Sequence, residues 1–428
     1  MRCSPFRAAV CGLLLVAGLQ LLYLGLLPGL QPVGSRRERP RPEPGAGVEA
    51  EAARLALQHG LRSGGQPEAG GRYLLYRDVT GQAGRRGPGS GPGLGLTISL
   101  GLATHASPNN LHHLPALTRR WQGPISLALF ATQSDLSEAL QALQLLVLHC
   151  PGVRELVTVT LVTPAAVRPP VAVPGAPSLQ GGDERGGQRD AVCHRALEPV
   201  YRLRGRYANY GLVNASYPGN LLRNAARRAL PARHVAVVDM DMLPSGGLYR
   251  RLLRLLEIRR AAATVYVLPA FEIRRSRRLP SAKAELQRLY QVGEVRPFYG
   301  ELCPRCQAPT NYSRWINLGP GPGPDLRVAY TLSWTDPWEP FYVGPSNVPP
   351  YDERFEQYGF NRISQACELH VAGFTFAVLD DAFLVHKGFK VPGEFHAQKD
   401  EENRSNRALF RQFKQELKLK YPESPRRC

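Results

Sequence analysis

The chain has 428 residues, enough for one large or two medium domains with a sizeable core. Its formal net charge is +19, with abundant arginine, many glycines and prolines, and no lysine before Lys283. Because this bias runs along the whole chain, and basic residues do not alternate with aromatic ones as in a nucleic-acid groove, the composition argues against a nucleic-acid partner.

The N-terminus carries an apolar run at residues 8–30, preceded by Arg2 and Arg7. The run can cross a bilayer as a helix of about 20 residues, and it exceeds the roughly 7–15 apolar residues of a cleaved signal peptide. We therefore expect a cytoplasmic tail at 1–7, a signal anchor at 8–30, a stem at 31–93 and a lumenal domain at 94–428. A cleaved signal peptide with a secreted product is the alternative.

From residue 94 onward, segments typical of strands alternate with segments typical of helices. This order predicts an α/β domain with a doubly wound, mostly parallel sheet. Strands are predicted at 96–102, 125–130, 155–162, 235–238 and 264–268, and helices at 109–121, 134–149, 219–230, 248–260 and 402–420. The region after residue 270 has scattered aromatic residues and prolines, which predicts an irregular C-terminal half.

The motif Asp239-Met-Asp241 follows the apolar strand predicted at 235–238. Strand periodicity sends its two carboxylates to the same side, beyond the carboxyl end of the strand, where open α/β sheets bind ligands. Two carboxylates at that edge favour Mn²⁺ or Mg²⁺ carrying a substrate diphosphate. For an isolated motif of this kind, a solvated strand end with two turn-forming aspartates is the alternative.

Cysteines and glycosylation motifs agree with a lumenal domain. Six cysteines lie beyond the predicted anchor, an even set typical of an oxidising compartment, and spacing alone leaves their pairing open. Cys303-Pro-Arg-Cys306 has zinc or redox spacing, and without a second close pair we interpret it as structural. N-glycosylation is predicted at the sequon asparagines Asn214, Asn311 and Asn403.

Several longer segments carry a resemblance to a known family. They are Asn220-Leu-Leu-Arg-Asn224, Val238-Asp-Met-Asp-Met242, Pro269-Ala-Phe-Glu-Ile-Arg-Arg275, Gln291-Val-Gly-Glu-Val-Arg-Pro-Phe-Tyr299, Pro309-Thr-Asn-Tyr-Ser-Arg-Trp315, Asp336-Pro-Trp-Glu-Pro-Phe-Tyr342, Tyr358-Gly-Phe-Asn-Arg-Ile-Ser-Gln-Ala-Cys-Glu-Leu-His370 and Leu384-Val-His-Lys-Gly-Phe389. On these segments the chain resembles the β-1,4-glucuronyltransferase family of the Golgi, whose catalytic domain has the GT-A fold. The resemblance covers the anchor and residues 104–428.

The resemblance implies a reaction and a place in the cell. Family members transfer glucuronic acid from UDP-glucuronate to a xylose on the O-mannosyl glycan of α-dystroglycan. That step primes a xylose–glucuronate polymer made by a bifunctional xylosyl- and glucuronyltransferase, a possible partner. It also implies a type II protein of the Golgi membrane, with a donor- and metal-binding part at 94–270 and an acceptor-binding part at 271–428.

The resemblance also implies roles for individual residues. Asp239 and Asp241 would bind Mn²⁺ and the donor diphosphate, and His386 would be the third protein ligand of the metal. By sequence alone, His386 could equally be an ordinary core or surface histidine.

Donor-binding residues follow from the same resemblance. Thr104 and His105 would contact the uridine, Arg223 could reach the donor, and Asp239 would also contact it. Three cations are open candidates to bind the carboxylate of glucuronate: Lys387, Arg274 and Arg275.

An inverting transfer requires one general base on the acceptor hydroxyl. Many GT-A enzymes place an acid after a glycine–aromatic step, but Asn361 stands there, and an asparagine cannot take up a proton at neutral pH. The candidates are Glu339, Asp352 and Glu353, with Glu368 also near in sequence. Glu339 is slightly favoured because partial burial between Trp and Pro would raise its pKa.

Three rival functions stay open in the sequence. A phosphatase of the Asp-x-Asp type would need its first acidic pair on the first strand, whereas three predicted strands precede Asp239. A lumenal scaffold without turnover is a rival of another class, and the intact metal-ligand set argues against it. An N-acetylglucosaminyltransferase of poly-N-acetyllactosamine synthesis is the third.

Overall fold

The computed structural model describes residues 46–62, 64–81, 98–170, 172–173, 189–206, 216–259, 263–319, 323–392 and 398–428. The predicted anchor at 8–30, Asn214 and much of the predicted stem lie outside these ranges. Within them, no helix combines the length and the apolar character needed to cross a membrane.

Fourteen strands form two sheets in the described residues. In chain order they are β1 (Gln66–Pro67), β2 (Tyr73–Tyr76), β3 (Ile98–Ala106), β4 (Ile125–Phe130), β5 (Val157–Pro164), β6 (Ala232–Val237), β7 (Met242–Pro244), β8 (Thr264–Leu268), β9 (Ala270–Ile273), β10 (Val295–Pro297), β11 (Val328–Leu332), β12 (Phe341–Pro345), β13 (Thr375–Leu379) and β14 (Leu384–Lys387).

Twelve α-helices accompany the strands in the described ranges. They are α1 (Ala46–Arg62), α2 (Leu114–Trp121), α3 (Leu136–His149), α4 (Pro151–Leu156), α5 (Arg189–Arg206), α6 (Gly219–Arg228), α7 (Leu248–Ile258), α8 (Lys283–Gln291), α9 (Pro304–Gln307), α10 (Tyr312–Asn317), α11 (Asn361–Val371) and α12 (Lys399–Lys420).

The main sheet has ten strands in the order β1-β2-β5-β4-β3-β6-β12-β8-β13-β11. Its centre is parallel, since β5, β4, β3 and β6 all run in the same direction. The strand β12 runs antiparallel between β6 and β8 and makes the sheet mixed. The prediction of an α/β sheet that is mostly parallel is confirmed for its central strands.

Helices cover both faces of this parallel centre. Leu127 and Leu129 of β4 pack on one face with Leu143 of α3. The intervening residue Ala128 points to the other face, where it joins Leu222 of α6 in a separate cluster. Strands buried on both faces explain the continuous apolar runs in the sequence. Because β5, β4, β3 and β6 are parallel, their carboxyl ends meet at one edge of the sheet.

The predicted domain boundary at residue 94 is wrong, because part of the predicted stem belongs to the folded domain. β2 pairs with β5 in the main sheet, with Leu75 opposite Val162, and Leu57 of α1 is 1% exposed. Residues 47–428 form one compact unit. The four residues of β2 gave no sign in the sequence that they would pair with a distant strand.

Three further predictions need correction. The helix predicted at 109–121 begins as a 3₁₀ helix (Pro108–His113) and becomes α-helical only in α2. The first two residues of the strand predicted at 155–162 instead end α4, and β5 starts at Val157. The C-terminal half is less irregular than predicted, since β11, β12 and β13 complete the main sheet. The predicted division at 270/271 therefore cuts through one sheet.

The second sheet has four strands in the order β10-β9-β14-β7. β7 follows the Asp239-Met-Asp241 motif, and β14 pairs with it so that His386 lies opposite Met242. This register brings a C-terminal strand against the strand end that carries the acidic motif. The small sheet thus positions His386 beside Asp241.

All six cysteines outside the predicted tail and anchor are paired in three disulfides. They join Cys150 to Cys193, Cys303 to Cys306 and Cys367 to Cys428. The interpretation of Cys303-Pro-Arg-Cys306 as structural agrees with its pairing. The third bridge ties the C-terminal residue to α11.

The Cys367–Cys428 bridge is expected to contribute more to stability than Cys303–Cys306. It spans 61 positions against 3, and the loop-entropy model gives about 4 kcal/mol for the first and about 2 kcal/mol for the second. We expect the double variant Cys367→Ser/Cys428→Ser to lose more unfolding free energy than the matched Cys303→Ser/Cys306→Ser, measured by urea denaturation. Equal losses would contradict this account.

Candidate active site

The site lies where the parallel strands of the main sheet end. Asp239 and Asp241 follow β6 and precede β7. β6 is parallel to β3, and the carboxyl end of β3 carries Thr104 and His105. His386 arrives from β14 on the other side. The fold therefore brings these five predicted site residues to one edge, although they are far apart in sequence.

Asp239 is held by three cationic or potentially cationic side chains. Its Oδ1 accepts a hydrogen bond from Arg223 Nη2 at 2.9 Å, and its Oδ2 accepts one from Arg362 Nη1 at 2.8 Å. His105 Nε2 lies 3.3 Å from Oδ1. Burial acts to raise the pKa of Asp239, but the charges of Arg223 and Arg362 outweigh it and hold the pKa well below its ordinary value. Asp239 is therefore a permanent anion at neutral pH.

Asp241 faces a different pair of side chains. His386 Nε2 and Lys390 Nζ each lie 3.3 Å from Asp241 Oδ2. Burial alone would raise the pKa of Asp241, and the charges of Lys390 and His386 reverse that effect, so this pKa too is lowered. The two aspartates are separated only by Met240, yet they contact different side chains.

The residues around Asp241 fit a divalent metal ion. His386 Nδ1 lies 2.7 Å from the carbonyl oxygen of Gly388, and a proton on Nδ1 leaves Nε2 with a lone pair directed towards Asp241. A backbone hydrogen bond of this kind orients most metal-ligating histidines. A carboxylate oxygen, a ligand type that suits Mn²⁺, thus lies beside an imidazole nitrogen that can coordinate a divalent metal when it is deprotonated.

A third ligand from Asp239 stays a prediction. Across the described ranges, no group of three His, Cys, Asp or Glu side chains lies close enough to bind one metal ion. Both oxygens of Asp239 are directed to arginines instead. The structure therefore brings Asp241 and His386 together and leaves Asp239 in an ion-pair cluster.

A cavity of about 750 Å³ opens at this edge. Asp239 and Arg223 line it, together with residues of α11 and α12. Glu339, Arg362 and Tyr299 also line it. Its size lies within the range of small-molecule sites in proteins.

Glu339 is the candidate base that the structure brings into the cavity. It is 9% exposed, and its Oε1 lies 3.1 Å from Arg362 Nη2. Burial raises the pKa of Glu339, although the charge of Arg362 opposes the shift. A buried carboxylate with a raised pKa that still faces a cavity is suited to accept a proton.

The other acidic candidates are not brought to the cavity. Asp352 Oδ2 accepts a hydrogen bond from Arg354 at 2.6 Å, and Glu353 Oε1 accepts one from Arg228 at 2.9 Å. Glu368 pairs with Lys420 at 2.6 Å. None of the three carboxylates lines the cavity. Asp352, Glu353 and Glu368 thus take part in structural ion pairs.

The predicted uridine-binding pair lies beside Asp239. His105 Nδ1 is 2.7 Å from the hydroxyl oxygen of Tyr217. Burial, followed by the charge of Arg223, lowers the pKa of His105 and keeps the imidazole neutral. Thr104 is fully buried, and its hydroxyl has no partner among the described residues. The roles of Thr104, His105 and Arg223 in donor binding stay predictions.

The three candidates for the glucuronate carboxylate do not line the cavity. Lys387, Arg274 and Arg275 are exposed. Three other side chains at the site escaped sequence reasoning: Arg362, Lys390 and Tyr299. Arg362 directly follows Asn361, which stands where many GT-A enzymes have an acidic residue. This departure was the one feature of the sequence that could have drawn attention to Arg362.

Two of the three predicted glycosylation sites lie within the described ranges. Asn311 is exposed at the start of α10, where its side chain accepts a hydrogen bond from the backbone of Arg314. Asn403 lies on α12, is partly buried and lines the cavity. A glycan on Asn403 would therefore extend into the cavity. Glycosylation at Asn214, Asn311 and Asn403 stays a prediction.

Two of the known proteins similar to this chain match it over its whole length, and a third matches about two thirds of it. Beta-1,4-glucuronyltransferase 1 from Danio rerio is 47% identical over 438 residues, which cover 100% of this chain and 99% of the relative. The protein of that name from Homo sapiens is 47% identical over 437 residues, with the same coverage. Xylosyl- and glucuronyltransferase LARGE2 from Mus musculus is 28% identical over 289 residues, covering 67% of this chain and 34% of that protein.

A family model described as glycosyl-transferase for dystroglycan matches residues 99–422. The matched segment contains Asp239, Asp241, Glu339, Arg362 and His386, each of which lies at the acidic edge or lines its cavity. On this match and the full-length identity, the chain belongs to the family of glycosyltransferases for dystroglycan.

Proposed function

We propose that the chain transfers glucuronic acid from UDP-glucuronate to a β-linked xylose on the O-mannosyl glycan of α-dystroglycan. The product would prime a xylose–glucuronate polymer extended by a bifunctional polymerase similar to the LARGE2 relatives. The observation that carries the proposal is the 47% identity with beta-1,4-glucuronyltransferase 1 over the whole length of both chains. The cavity lined by Asp239, Arg362 and Glu339 supports it with a site of suitable chemistry.

The reaction couples attack, bond cleavage and proton transfer. The acceptor hydroxyl oxygen attacks the anomeric carbon of the donor sugar, and the bond from that carbon to the diphosphate breaks on the opposite face. The α-linked donor thereby gives a β-linked product. Glu339 accepts the proton of the acceptor hydroxyl, and Arg362 holds the Glu339 carboxylate in place by its 3.1 Å contact.

Asp241 and His386 would hold Mn²⁺, which when bound would supply positive charge for the departing diphosphate. Arg223 and Arg362 fix the carboxylate of Asp239 from two helices, so that it keeps one orientation towards the donor. The catalytic domain would correspond to the GT-A fold, with its donor at the carboxyl ends of the central strands.

A panel of UDP-sugars tests the proposal directly. The purified protein is incubated with UDP-glucuronate, UDP-xylose, UDP-glucose and UDP-N-acetylglucosamine, each with a β-xyloside acceptor and Mn²⁺, and the products are identified by mass spectrometry. We expect the addition of one hexuronic acid from UDP-glucuronate alone. Preferential transfer of N-acetylglucosamine, or no transfer at all, would overturn the assignment.

Asp241→Asn is expected to weaken Mn²⁺ binding at least roughly tenfold, because a charged ligand becomes a neutral amide. Transfer should fall with it, while the protein stays folded with a modestly lower unfolding transition, because the contacts of the Asp241 carboxylate with His386 and Lys390 lose their charge. Titration calorimetry with Mn²⁺ and circular dichroism measure the two effects. Asp325→Asn is the matched control, because that carboxylate is exposed and pairs with Arg254. Wild-type Mn²⁺ affinity in Asp241→Asn would contradict the metal assignment.

Glu339→Gln is expected to lower turnover by roughly 10²–10⁴-fold, with little change in UDP or Mn²⁺ binding. Because burial raises the pKa of Glu339 above 4.5, the wild-type kcat/KM should decline on the acidic side at a pH above that value, where the base becomes protonated. Initial rates as a function of pH measure this limb. If Glu339→Gln keeps its turnover while Asp352→Asn or Glu353→Gln loses it, the base is one of those two residues.

We also propose that the protein is a single-pass type II protein of the Golgi membrane, with the catalytic domain in the lumen. Three disulfides are typical of an oxidising compartment and support this location. Full-length protein expressed in mammalian cells should resist carbonate extraction and lose mass on treatment with an N-glycosidase. The Asn214→Gln and Asn311→Gln variants should each lose one glycan. An unglycosylated protein in the cytosolic fraction would refute the topology.

A further inference from the structure

Tyr299 has a backbone conformation that tyrosine rarely adopts. The backbone N–H of Gly300 donates a hydrogen bond to the carbonyl of Pro297 at 3.0 Å, which closes a turn over residues 297–300. Tyr299 occupies the third position of this turn with φ of +57°. A positive φ at that position normally selects glycine or asparagine. The chain instead places a large aromatic side chain there, so the turn fixes where this side chain points.

Buried polar groups hold the turn in this conformation. The backbone N–H of Tyr299 donates a hydrogen bond to Glu272 Oε1 at 2.9 Å, and Glu272 is fully buried. The other oxygen of Glu272 accepts a hydrogen bond from Arg296 Nε at 2.8 Å. On the far side, the carbonyl of Tyr299 accepts one from the backbone N–H of Cys303 at 2.9 Å. Non-glycine residues held at positive φ concentrate at functional sites.

The side chain of Tyr299 lines the same cavity as Asp239 and Glu339. Burial raises the pKa of the phenol, and the negative charge of Glu339 raises it further, so the hydroxyl stays protonated and can donate a hydrogen bond. Among the described residues, nothing accepts that hydrogen bond. The Tyr299 hydroxyl can therefore donate its hydrogen bond to a ligand bound in the cavity.

The position of Tyr299 indicates which part of a ligand it would contact. Its ring stacks on Phe298 at 4.3 Å with an interplanar angle of 17°. Phe298 in turn lies 6.2 Å from the ring of His386, at the Asp241 end of the site. Glu339, the candidate base, lines the same cavity, and its charge acts on the Tyr299 phenol. In a nucleotide-sugar transfer, the group between the diphosphate and the general base is the sugar that is transferred.

We propose that Tyr299 is a specificity-determining residue that donates a hydrogen bond from its hydroxyl to the transferred sugar of the nucleotide-sugar donor, with the strained turn at residues 297–300 holding it in place. The proposal rests on the transferase function above. It assigns Tyr299 to the sugar and not to the nucleotide or the acceptor, and this distinction makes it testable.

Tyr299→Phe removes only the hydroxyl and keeps the stacked ring. Loss of one uncharged hydrogen bond is expected to reduce kcat/KM for UDP-glucuronate roughly threefold to tenfold, both for hydrolysis without acceptor and for transfer. The inhibition constant of UDP should not change, because UDP lacks the sugar. Titration calorimetry should show weaker binding of UDP-glucuronate and unchanged binding of UDP.

Tyr266→Phe is the matched control. Tyr266 is buried in β8, its hydroxyl has no hydrogen-bond partner in the described structure, and it does not line the cavity. We expect wild-type kinetics and binding for this variant. Thermal unfolding of Tyr299→Phe is measured in parallel and should match that of the wild type.

Three outcomes would overturn the proposal. Wild-type kinetics and binding in Tyr299→Phe would show that the hydroxyl makes no contact with the sugar. Loss of transfer with unchanged hydrolysis would assign the contact to the acceptor. Equal weakening of UDP and UDP-glucuronate binding would indicate a structural role. If the wild-type protein uses another UDP-sugar, UDP-glucuronate is the wrong donor and the proposed function is wrong on that point. The Tyr299 proposal is then tested by the same calorimetric comparison of UDP with that UDP-sugar.

Discussion

The architecture of the site depends on the guanidinium of Arg362, which lies between Asp239 and Glu339. It donates a hydrogen bond to Asp239 at 2.8 Å and contacts Glu339 at 3.1 Å, and the arginine is only 8% exposed. Two carboxylates this poorly solvated repel each other unless a cation separates them. Breaking such a buried pair costs about 3–5 kcal/mol, since it leaves an uncompensated charge. The ion pairs therefore fix the end of β6, the loop before β12 and the start of α11 relative to one another.

The sequence carried enough information to predict the parallel centre of the main sheet and the acidic edge. Strands buried on both faces have continuous apolar runs, and the alternation of strands and helices is local. The contact of Asp241 with His386 was predictable only through the family resemblance, because 145 positions separate them and the register of β14 on β7 is a tertiary feature. Arg362 and Tyr299 escaped prediction, since a single arginine or tyrosine has no periodic signal.

The misplaced stem boundary has a physical reason. β2 has only four residues, and α1 lies between linkers rich in glycine, proline and arginine. What makes β2 a strand is its pairing with β5, and what buries Leu57 is the core beneath it. Local composition cannot report contacts of this kind. The same limit applies to the disulfides, whose connectivity depends on which helices and loops the fold brings together.

The position of β12 has a consequence for how the protein forms during its synthesis. β12 lies between β6 and β8 and is contributed by residues 341–345, although both of its neighbours are made earlier. A nascent chain that ends before this point therefore exposes two unpaired strand edges, and long-range pairings of this kind form slowly. The site closes later still, because His386 and α12 come from the last tenth or so of the chain. Folding must be completed after translation is nearly finished, so truncated products retain open sheet edges that are prone to aggregate.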